Sequence, residues 1–93
     1  MNFEIAPKST ETYLKWDDAR LYCFALNISG KTGWRLPTIA ELHEMLSRGL
    51  IEPGNYWSSE VTANNHIKYL SPFSTRFGVN DYELGVYPVR DLE

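Results

Sequence analysis

The side chains able to do chemistry are few and far apart. Cys23 is the single cysteine, His43 and His66 are the two histidines, and Ser58-Ser59 offers two candidate nucleophiles. Cys23 falls on an apolar helical stripe, which reads as a core position rather than a nucleophile. No Ser-His-Asp order and no glycine elbow surrounds Ser58 or Ser59, so their hydroxyls are expected to bond backbone near a turn. Glu41, His43 and Glu44 share one helix, but a metal-protease helix needs two histidines four residues apart. His66 lies about one helix and one strand further on, and no ligand set assembles with it. Ser29-Gly30-Lys31-Thr32-Gly33 has the residues of a phosphate loop without the Walker spacing or a leading apolar strand. The expectation is a chain with no catalytic residue, no cofactor and no metal.

Binding chemistry is the alternative. Arg35 and Arg90 could take an anion, or each could hold carbonyls or a carboxylate such as Glu41 in a partly buried network, which is the preferred reading. Trp16, Trp34 and Trp57 could stack on sugars, but they stand beside apolar helical faces and read as core. The net charge is −3 with no basic run, so phosphate neutralisation fails and nucleic acid is excluded as a partner. Membrane-surface binding fails for the same reason, and no apolar run approaches the roughly 20 residues of a membrane span. The first residues show no basic and apolar leader pattern, and a lone cysteine forms no intrachain disulfide. A reducing cytoplasm or a virion is the expected location.

These residues need elements to position them. The 93 residues fit one domain, and 43% apolar content is enough for a packed core. Phe3 and Ile5 alternate around Glu4 in a first strand that Pro7 closes, and 8–11 reads as a loop. A first helix is expected from Trp16 to Asn27, with Ala19, Tyr22, Cys23 and Leu26 as its stripe and Asn27 or Gly30 as its stop. Trp34-Arg35-Leu36 is a short strand stopped by Pro37. Thr38-Ile39-Ala40-Glu41 has the spacing of a capping box. It opens a second helix from Ile39 to about Arg48, buried along Ile39, Leu42, Met45 and Leu46, with Gly49 as its stop. Asn55–Glu60 and His66–Leu70 follow. Residues 71–80 read as punctuated loop anchored by Phe73 and Phe77, and Leu84–Val89 as a last strand. Helices first and strands after argue an α+β domain.

Four groups of residues, in this order, carry a resemblance. They are Trp16-Asp17-Asp18-Ala19 with Tyr22-Cys23, Gly33-Trp34-Arg35-Leu36-Pro37-Thr38 with Glu41-Leu42, Tyr56-Trp57-Ser58-Ser59, and Tyr87-Pro88-Val89-Arg90. Over roughly residues 12 to 91 the chain resembles the C-terminal domain family of the Legionella collagen-like protein, whose members occur in bacterial surface and phage-encoded proteins. The resemblance implies a compact C-type-lectin-like fold: two helices, a small antiparallel sheet with paired terminal strands, and a second small sheet beneath a loop region. Glu52-Pro53-Gly54-Asn55 interrupts the calcium-holding triplet of sugar-binding lectins and the second triplet is absent, which argues against calcium-dependent sugar binding. The founding member's association with sulfated glycosaminoglycans suits an acidic chain poorly. The related formylglycine-generating enzymes use a cysteine pair that one cysteine cannot supply.

What remains for function is the surface from Glu60 to Glu83. Asn64, Asn65, Arg76, Asn80, Asp81 and Tyr82 are the candidate partner-binding residues, a mixture of adaptable amides with one aromatic. An ordinary solvated loop has the same composition. Trp16, Trp34, Arg35, Thr38, Glu41, Trp57 and Arg90 are assigned to the framework. The expectation is a non-catalytic binding module, with a protein partner preferred to a glycan. A small phage-encoded inhibitor of a host protein is one case, and a carbohydrate-binding adhesion module is the alternative.

Overall fold

Pro7, Pro37 and Pro88 each stand where the chain leaves one sheet for the other. A proline has no N–H to continue a ladder, so a strand that meets one ends or changes partner. The computed structural model describes residues 2–72 and 74–92. Strands β1 (Phe3–Ile5), β3 (Trp34–Arg35) and β8 (Val89–Asp91) form a three-stranded sheet in the order β1-β8-β3. Strands β2 (Thr12–Leu14), β4 (Tyr56–Val61), β5 (Ile67–Ser71), β6 (Ser74–Gly78) and β7 (Leu84–Val86) form a second, in the order β2-β7-β4-β5-β6. All described pairings are antiparallel except β4 with β7. With helices α1 (Trp16–Ala25) and α2 (Ile39–Ser47), the fold is α+β. The terminal strands do pair, with Phe3 opposite Asp91 and Ile5 opposite Val89.

Four expectations need correction. Leu84–Val89 is two strands, because Tyr87-Pro88 breaks the ladder and the Pro88 carbonyl instead accepts the Ala6 N–H at 3.0 Å. Residues 74–78 form β6 rather than loop; serine, threonine and arginine hide a strand whose side chains are mostly in solvent. Phe77 is 56% exposed and belongs to neither core cluster, while Phe73 lies outside the described residues. Thr12–Leu14 is a strand that no alternation revealed, preceded by a 3-10 turn at Lys8–Thr10. Helix α1 stops at Ala25, where Leu26 turns extended, and the Asn27 side chain accepts the Gly30 N–H at 2.9 Å in the turn beyond.

The larger sheet is covered on both faces. Tyr56 and Leu70 pair across β4 and β5 and face α2, packing with Leu42, Met45 and Tyr87. Trp57 and Tyr69 pair on the opposite face, where Trp57 packs with Ala19, Cys23, Trp34 and Val86. Burial of one large side chain contributes about 1.5–3 kcal/mol, so these two clusters supply most of what orders so small a chain. Among the described residues, no buried side-chain polar atom lacks a hydrogen-bond partner.

Candidate functional site

The framework is held by a polar junction between β3, α2 and β8. The Thr38 hydroxyl accepts the Glu41 N–H at 3.1 Å and Glu41 Oε1 accepts the Thr38 N–H at 2.8 Å, so both halves of the capping box form. The same carboxylate takes Arg35 in a two-pronged pair, with Nη1 to Oε1 at 2.8 Å and Nη2 to Oε2 at 2.9 Å. Arg35 also reaches Asp91 Oδ1 at 2.6 Å. The Arg35 guanidinium, then the Thr38 N–H, hold the Glu41 carboxyl below the ordinary glutamate range, and Glu41 raises Arg35 in turn. Glu60 on β4 accepts the Ile39 N–H at 2.7 Å, placing a second carboxylate at the helix N-terminus. Arg90 donates to Glu4 at 2.9 Å and to the Thr32 carbonyl at 3.1 Å.

The tryptophans present their indole N–H groups to backbone rather than to ligands. Trp57 is fully buried and donates to the Leu14 carbonyl at 2.8 Å; Trp34, also buried, donates to Lys31 at 3.0 Å. Half-buried Trp16 donates to the Ser58 carbonyl at 2.9 Å, with the Arg20 guanidinium 4.3 Å from its ring centre. Ser58 is buried, donates to the Lys68 carbonyl at 2.7 Å and accepts the Glu60 N–H at 3.1 Å. Its hydroxyl therefore serves a register shift in β4 rather than a turn. Cys23 is buried on α1, and burial pushes its thiol up to about 12, far from a thiolate at neutral pH. His43 is exposed, 3.4 Å from the Thr75 hydroxyl. Among the described residues, no three metal-ligating side chains cluster, and no helix is long and apolar enough to cross a membrane.

The six candidate partner-binding residues occupy one end of the larger sheet and its outer edge. Ile67 pairs with Val61 on one side and Gly78 on the other, so the turns at 62–66 and 79–83 leave the sheet together. In the first, the Thr62 hydroxyl accepts the His66 N–H at 3.1 Å, Asn65 takes a φ of 61°, and the Asn64 side chain is exposed. Arg76 stands opposite Tyr69 on β6, in solvent. Tyr82 packs edge-on against Tyr69, with ring centres 6.3 Å apart. A Cβ on Gly78 would come within 2.9 Å of that Tyr82 ring. Asp81 is exposed. Asn80 is engaged structurally: its Oδ1 accepts the Asp17 N–H at 3.1 Å and its Nδ2 donates to the Asp17 carboxylate. It satisfies a first-turn donor of α1 across 63 residues of sequence.

Two features escaped the sequence reading. Leu21 and Phe24 lie on α1 at the four- and seven-residue steps from Asp17 and are 67% and 83% exposed, so the helix carries apolar residues on its outer face as well as its stripe. The signal was their presence off the stripe. The second is a cleft of about 240 Å³ between the 3-10 turn and the 49–55 segment, with Lys8, Glu11, Tyr13, Leu50, Tyr56 and Tyr87 in its lining. The Tyr56 ring is buried over Gly85, donates from its hydroxyl to the Glu52 carbonyl at 2.9 Å, and tilts against Tyr87 with centres 6.4 Å apart. Burial first, and the Glu11 carboxylate next, push the Tyr56 phenol up to about 12. Compared with known proteins, the chain matches no family model and no curated protein sequence.

Proposed function

We propose that this protein is a non-catalytic binding module that recognises a protein partner through β6 and the turns at 62–66 and 79–83. The observation that carries the reading is an outer strand, paired on one side by β5, that presents exposed Phe77 and continues into exposed Val79 and Tyr82. In an antiparallel ladder, alternate residues of an outer strand turn their N–H and C=O groups away from the sheet, a template for an added strand. The partner supplies an extended segment to those groups and apolar side chains to Phe77 and Tyr82. The outer face of α1, joined to the 79–83 turn through Asn80 and Asp17, extends the surface with Leu21 and Phe24.

The resemblance to the Legionella collagen-like C-terminal domain supports a rigid lectin-like scaffold with a variable contact surface, and the lone cysteine suits work in a reducing cytoplasm or on a virion. A small phage-encoded inhibitor of a host protein is one form of this reading. The second reading, a carbohydrate module, is favoured by Tyr82, an aromatic ring 45% exposed on that surface; the buried faces of Trp34 and Trp57 count against it.

Affinity capture from host lysate, followed by cross-linking and mass spectrometry, tests the reading. One stoichiometric protein cross-linked to residues 74–83, and lost with Phe77→Asp, is the expected result. Glycan-array binding that survives a chelator and is lost with Tyr82→Ala would replace it with the carbohydrate reading.

A further inference from the structure

The cleft lies at the start of β4, at the other end of that strand from the 62–66 turn, and β5 stands between β4 and β6. Its 240 Å³ is below the roughly 300–1,000 Å³ of pockets that hold drug-sized ligands, so it has room for one side chain or a fragment of that size. Three strands bring its tyrosines together. Tyr13 on β2 and Tyr56 on β4 both stand opposite Gly85 of β7, and Tyr87 follows two residues on. The three tyrosines share the lining with the 49–55 segment, Tyr13 being the exposed ring of the three, and the charges are Lys8, Glu11 and Glu52, negative by one overall. Among the described residues neither Glu11 nor Lys8 is in an ion pair. Lys8 is exposed at the cleft, and the Glu11 backbone is tied by its N–H to the Lys8 carbonyl at 3.0 Å, which fixes where the Glu11 carboxylate starts. The Tyr56 hydroxyl is spent on the Glu52 carbonyl, and a carbonyl oxygen keeps a second lone pair for another donor.

A carboxylate, a carbonyl and electron-rich ring faces all attract the same thing, a group with positive charge and several N–H donors. We propose that the cleft binds one organic cation, a guanidinium or alkylammonium group, with Glu11 as its counter-charge. The exposed ring of Tyr13 receives the apolar stem or the guanidinium plane, and Leu50 closes the other side. The cation comes from an arginine or lysine side chain of a partner chain, or from a free small amine. Both use the same groups. The site is independent of β6, so either surface can fail its test without the other.

The test is a nuclear magnetic resonance titration of the whole protein with a short Ala-Ala-Arg-Ala-Ala peptide, its neutral citrulline counterpart, agmatine, and methyl glucoside. The arginine peptide is expected to shift the amides of Gly54, Asn55, Tyr56 and Gly85, with Glu11→Gln weakening binding at least tenfold and added salt weakening it further. Glu11→Gln leaves the backbone bond of Glu11 in place, and the variant's own amide spectrum shows that the fold is kept. Tyr13→Ala provides a second variant, also expected to weaken the peptide, and Phe77→Asp is expected to leave it unchanged. Tighter binding of the peptide than of agmatine assigns the cation to a partner chain, and the reverse assigns it to a free amine. Equal response to citrulline, no loss with Glu11→Gln, a preference for methyl glucoside, or no shifts up to tens of millimolar would each overturn the proposal.

Discussion

Two glycines that face tyrosine rings mark opposite ends of the larger sheet, and the two ends are built differently. At Gly85 an added Cβ would stand 2.9 Å from the Asn55 carbonyl oxygen and 2.9 Å from Tyr56 Cδ1. The same Asn55 oxygen accepts the Gly85 N–H at 2.8 Å, so the backbone is committed there and cannot retreat. At Gly78 the nearest atoms are Tyr82 Cδ2 at 2.9 Å and Tyr69 Cε1 at 3.0 Å, both on side chains, and Tyr82 is half in solvent. The cleft end is interlocked by backbone; the β6 end is covered by rings that can move. A concave site with fixed walls suits a small ligand, and an open edge with adaptable side chains suits a large one.

The sharpest way to break that comparison is to fill both glycines. Gly85→Ala is expected to cost about 3 kcal/mol through overpacking against backbone. A domain of this size loses roughly 4–8 °C of melting temperature per kcal/mol, so the loss is large in a thermal melt. Gly78→Ala is expected to cost about 1 kcal/mol or less, since Tyr82 swings outward. Equal melting losses would mean that the two ends are equally rigid, and the division between fixed cleft and adaptable edge would fall.

Next in size is the junction that ties α2 to the three-stranded sheet. Arg35→Ala removes a two-pronged pair to Glu41 and the bond to Asp91, and is expected to lower stability by about 2 kcal/mol in denaturant melts. It touches neither surface, so residual folded protein should still bind at both. The Glu41 carboxyl is depressed when folded, so its contribution is present above the unfolded value near 4.5 and is lost as pH falls through the lower folded one. Glu41→Gln should therefore flatten the loss of stability below about pH 4.5, checked by melts across acid pH.

How much of this was written in the chain depends on the range of the interaction that makes each part. The capping box at Thr38 and Glu41 is a three-residue event, and α2 followed from it. The α1 stripe was readable because 3.6-residue periodicity is local. Strand β6 was not, since Ser74-Thr75-Arg76 has no alternation to show when one edge and most side chains face water. The cleft was invisible for a different reason. Tyr13, Tyr56 and Tyr87 meet only because β7 runs antiparallel to β2 and parallel to β4, a register that no single stretch encodes. Asn80 looked free because its partner, Asp17, is 63 residues away. Composition drew attention to residues 60–83 and gave no sign of the cleft.

Tyr56→Phe tests the cleft at smaller amplitude. It removes the hydroxyl bond to the Glu52 carbonyl and is expected to cost about 1 kcal/mol at neutral pH. The Tyr56 phenol is held up to about 12 in the folded protein, above the ordinary value of 10. Its stabilising contribution is accordingly full below pH 10 and lost as pH rises toward 12. An absorbance titration of the folded protein should show a late-ionising tyrosine that disappears in the variant. A fully ordinary titration of every tyrosine would mean that the cleft is open to water and its walls are not fixed.

The smallest change in stability belongs to Phe77→Asp, and that smallness is what makes it decisive for the other end. Phe77 is 56% exposed and sits on an outer strand, so its replacement should alter stability by no more than about 0.5 kcal/mol. The new carboxylate stands opposite Lys68, which leaves no like charge directly across the ladder. A stable variant that no longer captures the partner therefore reports on the edge itself rather than on folding. Should the variant melt several degrees lower, Phe77 packs on something and the edge is not free. Should it stay stable and still bind, the partner reads the turns at 62–66 and 79–83 without β6, and recognition rests on Tyr82 and the amides beside it rather than on an added strand.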